Sequence, residues 1–215
     1  MTVTEKTVEE QLVKSRHRVR TYGEVFTPRH MVEEMLDLVQ EDLEGPGFVD
    51  KTFLEPAAGD GNFLVAILRR KLHAIEKQYP AEQWRQESLF ALASIYGVEL
   101  LEDNHQDAKA IMLAEFLRFH QKRGNPGKRD TVLRKAAAFL IDRNIVSGNT
   151  LTGKTTTGED IQFSWWNRID AAPGMVQRMP FALSSLAGDT LDFTNYASYQ
   201  ACQIETVHEE VRADV

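Results

Sequence analysis

Phe53-Leu-Glu-Pro-Ala-Ala-Gly-Asp-Gly-Asn-Phe-Leu64 is the stretch on which the fold turns. A short apolar strand runs into an acid, Glu55. A turn with Gly59 and Gly61 follows, and an amphipathic helix opens at Asn62. Such a turn brings bare backbone and the free N–H groups of a helix start close to a ligand. A nicotinamide fingerprint needs a third glycine for helix packing. That position holds Leu64, so a dinucleotide is disfavoured. A lone Gly-x-Gly marks many ordinary tight turns, so its weight rests on the segments around it.

Downstream, Leu64, Ile67, Leu68, Leu72 and Ile75 recur on one face and predict a helix over 62–79. A short helix follows around Trp84–Ala93. Ile95-Tyr-Gly-Val-Glu-Leu100 reads as a second strand, and Asp103 caps a helix carrying Ala108, Ile111, Met112, Phe116 and Phe119. Gln121–Arg129 is a Gly, Pro and basic loop ahead of a helix over Thr131–Ile141. Asn144-Ile-Val-Ser147 is a third strand, ending at Gly148-Asn149-Thr150. Ile161–Trp166 alternates like a strand, and Gly174–Arg178 reads as another. Upstream, Thr27 is an N-cap and Pro28 a first helical residue for Met31, Val32, Met35, Leu36 and Val39. Strands alternating with helices imply an α/β fold with a mainly parallel central sheet flanked by helices. Ligands bind at the carboxyl ends of such strands. That rule lines up Glu55–Gly61, Glu99 and Asn149 along one edge.

With 215 residues and 42% hydrophobic content, one domain with a real core is expected. It spans 22–186. Before it, 1–21 reads as a basic helix or arm, with Lys14-Ser-Arg-His-Arg-Val-Arg20 as a solvated face. After it, 187–215 reads as a poorly defined tail. The net charge of -7 argues against a simple nucleic-acid coat and leaves room for a local basic face. A single cysteine, Cys202, excludes an internal disulfide framework and a thiolate zinc site, and no metal site is expected. There is no signal-peptide run and no stretch long enough to span a membrane, so a soluble, cytoplasmic protein is expected.

The strand ends carry the chemistry. Glu99 suits the two hydroxyls of a ribose, although a strand-end acid is often just solvated. Asn149 offers a carbonyl to an adenine amino group, although it equally suits a turn after Gly148. Taken in order, Phe26-Thr-Pro28, Glu55-Pro-Ala-Ala-Gly-Asp-Gly-Asn-Phe63, Gly97-Val-Glu-Leu100 and Asn144-Ile-Val-Ser-Gly-Asn149 resemble the successive motifs of a family. That family is the S-adenosylmethionine-dependent DNA adenine-N6 methyltransferases of restriction–modification systems. The likeness covers roughly Tyr22–Leu151.

The resemblance implies a Rossmann-like class I methyltransferase fold with S-adenosyl-L-methionine as cofactor. It implies that Phe26 and Thr27 lie at the methionine end, with Thr27 on the carboxylate. Glu55, Pro56, Ala57, Gly59, Asp60, Gly61, Asn62 and Phe63 would form the methionine and ribose cradle. Glu99 would hold the ribose hydroxyls and Leu100 would pack on the adenine. Asn149 stands where the family has an aspartate; it keeps the acceptor and loses the charge. DNA is an implied partner, as is a second protein supplying target recognition.

The family's catalytic motif is Asn or Asp, then Pro-Pro, then an aromatic. Its carbonyl oxygens accept the protons of the base's amine, and its ring stacks the flipped base. This chain lacks it. The nearest candidate is Arg178-Met-Pro-Phe181, which supplies Pro180 and Phe181 but puts a donor where an acceptor is needed. Asn167 and Asn195 are distant substitutes. Trp165 and Trp166 suit stacking or the core. Arg118, Lys122, Arg123, Lys128, Arg129, Arg134 and Lys135 form a basic stretch for phosphates or for solvent. The expectation is therefore a cofactor-binding methyltransferase-like domain. The alternatives are an inactive accessory homologue or a methyltransferase with a non-DNA substrate.

Overall fold

The computed structural model describes residues 11–122, 131–187, 191–193 and 196–213. Helices α1 (Arg16–Tyr22), α2 (Arg29–Asp37) and α3 (Gln40–Glu44) precede strand β1 (Phe53–Glu55). Then come α4 (Asn62–Gln78), α5 (Trp84–Ala93), β2 (Ile95–Glu99), α6 (Glu102–Lys122), α7 (Thr131–Asn144) and β3 (Ile145–Ser147). Strands β4 (Gln162–Arg168), β5 (Met175–Ala182) and β6 (Cys202–Gln203) complete the sheets among the described residues.

The first three strands form a parallel sheet in the order β1-β2-β3, flanked by helices. The mixed α/β class therefore matches the expectation. Strands β4, β5 and β6 do not extend that sheet. They form a separate antiparallel one in the order β4-β5-β6.

Helix α4 shows how the sequence builds the core. Leu64, Leu68, Leu72 and Ile75 follow helical spacing, and all are buried. Burial of each contributes about 1.5–3 kcal/mol. Leu64 packs where Gly97 of β2 has no side chain; a Cβ there would lie 3.2 Å from the leucine Cδ1. Under the opposite end of the sheet the same helix carries Lys71, 0% exposed. Its ammonium donates to Lys51 O and Ser94 Oγ at 2.6 Å each and to Val49 O at 3.3 Å.

The hairpin sheet packs across β2. The Tyr96 hydroxyl donates to Ser164 O at 2.9 Å, and its ring meets Phe163 edge-on. Trp166 Nε1 donates to Asn144 Oδ1 at 2.8 Å, fastening β4 to α7. Leu54 pairs in register with Tyr96 and so faces the same way, yet it is 39% exposed. The Phe53 N–H donates to Ser94 O. The ladder thus runs through Phe53 and Glu55, and the Leu54 backbone points away from β2.

The segment beyond residue 187 is folded where it is described. Strand β6 pairs with β5, and the 3-10 turn Ile204–Glu209 buries Ile204 and Val207 against α7. The basic run before Tyr22 is likewise docked. Lys14 reaches Asp103 and Asp107 at 3.1 and 3.0 Å, and Arg18 bonds both Glu24 and Asp103.

Candidate functional site: an acid-lined cleft at the strand ends

The three parallel strands end together, and their loops are tied to one another. Pro56 has no N–H, so β1 stops there. Glu55 Oε1 then accepts from the Ala57 N–H at 3.0 Å, closing the turn. The Ala58 N–H donates to Val98 O, the Gly148 N–H to Glu99 O, and the Thr150 hydroxyl to Pro56 O. Gly59 and Gly61 both adopt left-handed backbone, at φ 56° and 94°. Gly61 leads into α4, and a Cβ on it would lie 2.9 Å from Ala108 Cα in α6. The glycine is what lets that helix close over the loop.

Above this floor lies a cleft of about 340 Å³. That is within the range of small-ligand sites. Phe26, Thr27, Pro56, Ala57, Gly59, Asp60, Asn62, Phe63, Glu99, Leu100 and Asn149, all expected from sequence, line it together. Glu55 and Gly61 shape the turn beneath it without lining it. The Phe26 ring sits over Gly59, where a Cβ would come within 3.3 Å. Thr27 lines the cleft and does not cap α2: that helix starts at Arg29 after an extended Pro28 and has no side-chain cap.

Glu99 is committed to the loops around it. Its Oε2 accepts from the Gly59 N–H at 2.7 Å and its Oε1 from the Leu101 N–H at 2.8 Å. A carboxylate oxygen has room for a further donor, so both remain usable by a ligand hydroxyl. Asn149 differs from its expected role. Its Oδ1 accepts from the Leu151 and Thr152 N–H groups, at 2.9 and 3.3 Å, closing its own turn. The side chain lines the cleft, but its carbonyl is occupied.

Glu24 and Asn104 are among the lining residues that escaped the sequence reading. Glu24 reaches the wall from the segment after α1, and Asn104 from the first turn of α6; the Asn104 amide donates to Glu24 Oε1 at 2.6 Å. Burial pushes the Glu24 carboxyl up, but hydrogen bonds from Arg18 and Asn104 outweigh it and hold the pKa below the usual value. Burial pushes Asp60 up, with Lys14 opposing. Asp60 Oδ1 is buried without a hydrogen-bond partner. The charged residues of the cleft are Glu24, Asp60 and Glu99. Among the described residues no lysine, arginine or histidine lines it.

The expected base-handling residues lie elsewhere. Phe181 is 3% exposed, wedged between Phe163 and Phe193 in the hairpin's aromatic core. Pro180, its neighbour on β5, points into a different cavity. Neither borders the cleft, because β5 belongs to the antiparallel sheet. Asn167, Trp165 and Trp166 line a third cavity with Arg168, and Asn195 falls outside the described residues. Within the basic stretch, Arg118 bonds Glu115, while Arg123–Arg129 and the Lys122 side chain fall outside the described residues. Among the described residues, no helix is long and apolar enough to cross a membrane. No protein-family model, no curated protein and no solved structure matches this chain.

Proposed function

We propose that this chain binds S-adenosyl-L-methionine in the cleft, as a Rossmann-like class I methyltransferase domain of the DNA adenine-N6 type. The observation that carries the reading is the charge of the wall: Asp60, Glu99 and the Arg18-paired Glu24, with no lining cation among the described residues, beside the N-terminus of α4. Phosphate-rich nucleotides are repelled by such a wall. A zwitterion bearing a sulfonium suits it. Its ammonium meets Asp60, its carboxylate meets the free N–H groups of the helix start and the Thr27 hydroxyl, and its ribose meets Glu99.

A unit positive charge near partly buried carboxylates is worth on the order of 1–2 kcal/mol after screening, so S-adenosylmethionine is expected to bind roughly tenfold tighter than the neutral S-adenosylhomocysteine. Calorimetry with both, with ATP and with the Glu99→Ala variant tests this. Silence toward S-adenosylmethionine at millimolar concentration sinks the reading.

The placement of Phe181 and Pro180 favours a second reading for the chemistry, that of an accessory subunit. Neither residue borders the cleft, so on this reading a partner supplies the base-handling groups. Tritiated methyl transfer to unmodified DNA by the chain alone is expected to be nil; label in DNA overturns the accessory reading and leaves the cofactor reading standing.

A further inference from the structure

A second cavity, about 460 Å³, opens on the other side of the hairpin, between the end of α7, β3, β4, β5 and the C-terminal segment. Its charge is opposite to that of the cleft. Arg143, Arg178 and Arg212 line it, together with Tyr196 and Tyr199. Among the described residues Asp142 is the one acid on its wall, and it is already paired with Lys109 at 3.1 Å.

Arg178 anchors the site. It is 6% exposed, and its guanidinium stacks 3.9 Å from the centre of the Tyr199 ring. Its carboxylate neighbour is Glu210, with Nε 3.2 Å from Oε1, but the approach lacks hydrogen-bond alignment, and Nε and Glu210 Oε2 are both left buried without a hydrogen bond. A guanidinium carries five N–H donors, and Nε–H is one that no protein acceptor satisfies among the described residues. Burial lowers the Arg178 pKa and raises that of Glu210, as expected for a pair whose charges are incompletely compensated. Arg143 and Arg212, both exposed, make no ion pair among the described residues.

The cavity is built rather than incidental. Tyr199 and Arg212 face each other across a bridge reinforced by Gln200 N–H to Val211 O and Ala213 N–H to Ser198 O. Gln177 of β5 donates to Tyr199 O at 3.0 Å, fixing that bridge to the hairpin. The two termini of the wall are thus held at a set spacing around the arginines.

We infer that this cavity is a binding site for a phosphate ester, gripped by Arg143, Arg178 and Arg212 with Tyr199 as the stacking platform. Guanidinium forks match phosphate oxygens in geometry and charge. The volume exceeds a lone phosphate and admits the nucleoside or the next backbone unit attached to it. The site is independent of the cleft, which repels the same ligand.

The test uses the full chain and three ligands: inorganic phosphate, adenosine monophosphate and a short single-stranded oligodeoxynucleotide. Arg143→Gln/Arg212→Gln removes two exposed charges without touching the buried anchor. Arg134→Gln, an exposed change elsewhere on α7, is the control. Binding by the parent chain, weakened roughly tenfold in the double variant and unchanged in the control, is expected. Oligonucleotide binding stronger than monophosphate binding assigns the phosphate to a nucleic-acid backbone, and the reverse assigns it to a free nucleotide. No binding of any ligand at millimolar concentration, or equal affinity across the three proteins, overturns the site.

Discussion

The two sheets solve the placement of charge in opposite ways. In the parallel sheet all strand ends of one kind meet, and the loops that follow them collect Asp60, Glu99 and, from outside, Glu24. In the antiparallel sheet the strands alternate direction, so no such convergence exists. There the charges are arginines gathered from three elements: Arg178 from β5, Arg143 from the end of α7 and Arg212 from the returning C-terminal segment. A chain of net charge -7 thus keeps one anionic and one cationic cavity apart.

The comparison breaks most sharply at the glycine turn. Gly61→Val places a Cβ against the Ala108 backbone at left-handed φ, and a loss of about 3–5 kcal/mol is expected in urea unfolding. A loss under about 1 kcal/mol would mean that α6 does not close on the loop as described.

Lys71 offers a pH lever that belongs to the parallel half alone. Burial draws its pKa from near 10.5 down to about 7, with Asp50 opposing. Below pH 7 native and unfolded chains both hold the proton, and the burial penalty is fully present. Between about 7 and 10.5 the native chain has released a proton that the unfolded chain keeps, so stability rises with pH, by on the order of 2–4 kcal/mol. Lys71→Met should flatten that slope. A flat parental profile would mean that the three acceptors around Nζ hold the ammonium charged throughout.

The hairpin's tie to α7 is a smaller term. Trp166→Phe removes the donor to Asn144 Oδ1 and leaves a buried acceptor short of a partner. A loss of about 1–3 kcal/mol is expected, with the affinity of the cleft for the proposed ligand unchanged. The smallest effect belongs to the exposed strap. Asp103→Asn weakens the ion pairs with Lys14 and Arg18 and should change stability by under about 1 kcal/mol, less still at high salt. Its signature lies in the cleft, whose wall that segment forms: a weaker ligand affinity at unchanged stability sharpens the role of the strap.

The parallel half was legible because its signals are local. Pro56, the two turn glycines and the spacing of Leu64, Leu68 and Leu72 each carry their meaning within a few residues. What escaped required distance. Glu24 enters the cleft because Asn104, eighty residues away, bonds it. Thr27 looks like a cap in sequence, yet the backbone there is drawn to Leu12, through the Phe26 N–H, and Pro28 stays extended. Phe181 follows a proline as a stacking aromatic would, but its place on β5 decides its role, and that register is set by pairing with Phe163. The C-terminal segment looked patternless because its strand is two residues long and its buried pair, Ile204 and Val207, is too short to show a period.

Leu54 gives the parallel sheet an open border. Its amide and carbonyl face away from β2 at the centre of a three-residue strand. A long bare edge invites uncontrolled stacking of one molecule on the next, and brevity is a common safeguard. Here the safeguard is near its limit: one residue exposes one donor and one acceptor, too few to register an incoming strand. Any segment that settles on this border must therefore draw its hold from covering the leucine side chain and set its own alignment. The edge selects for a shaped apolar surface and is blind to the backbone of a passing chain.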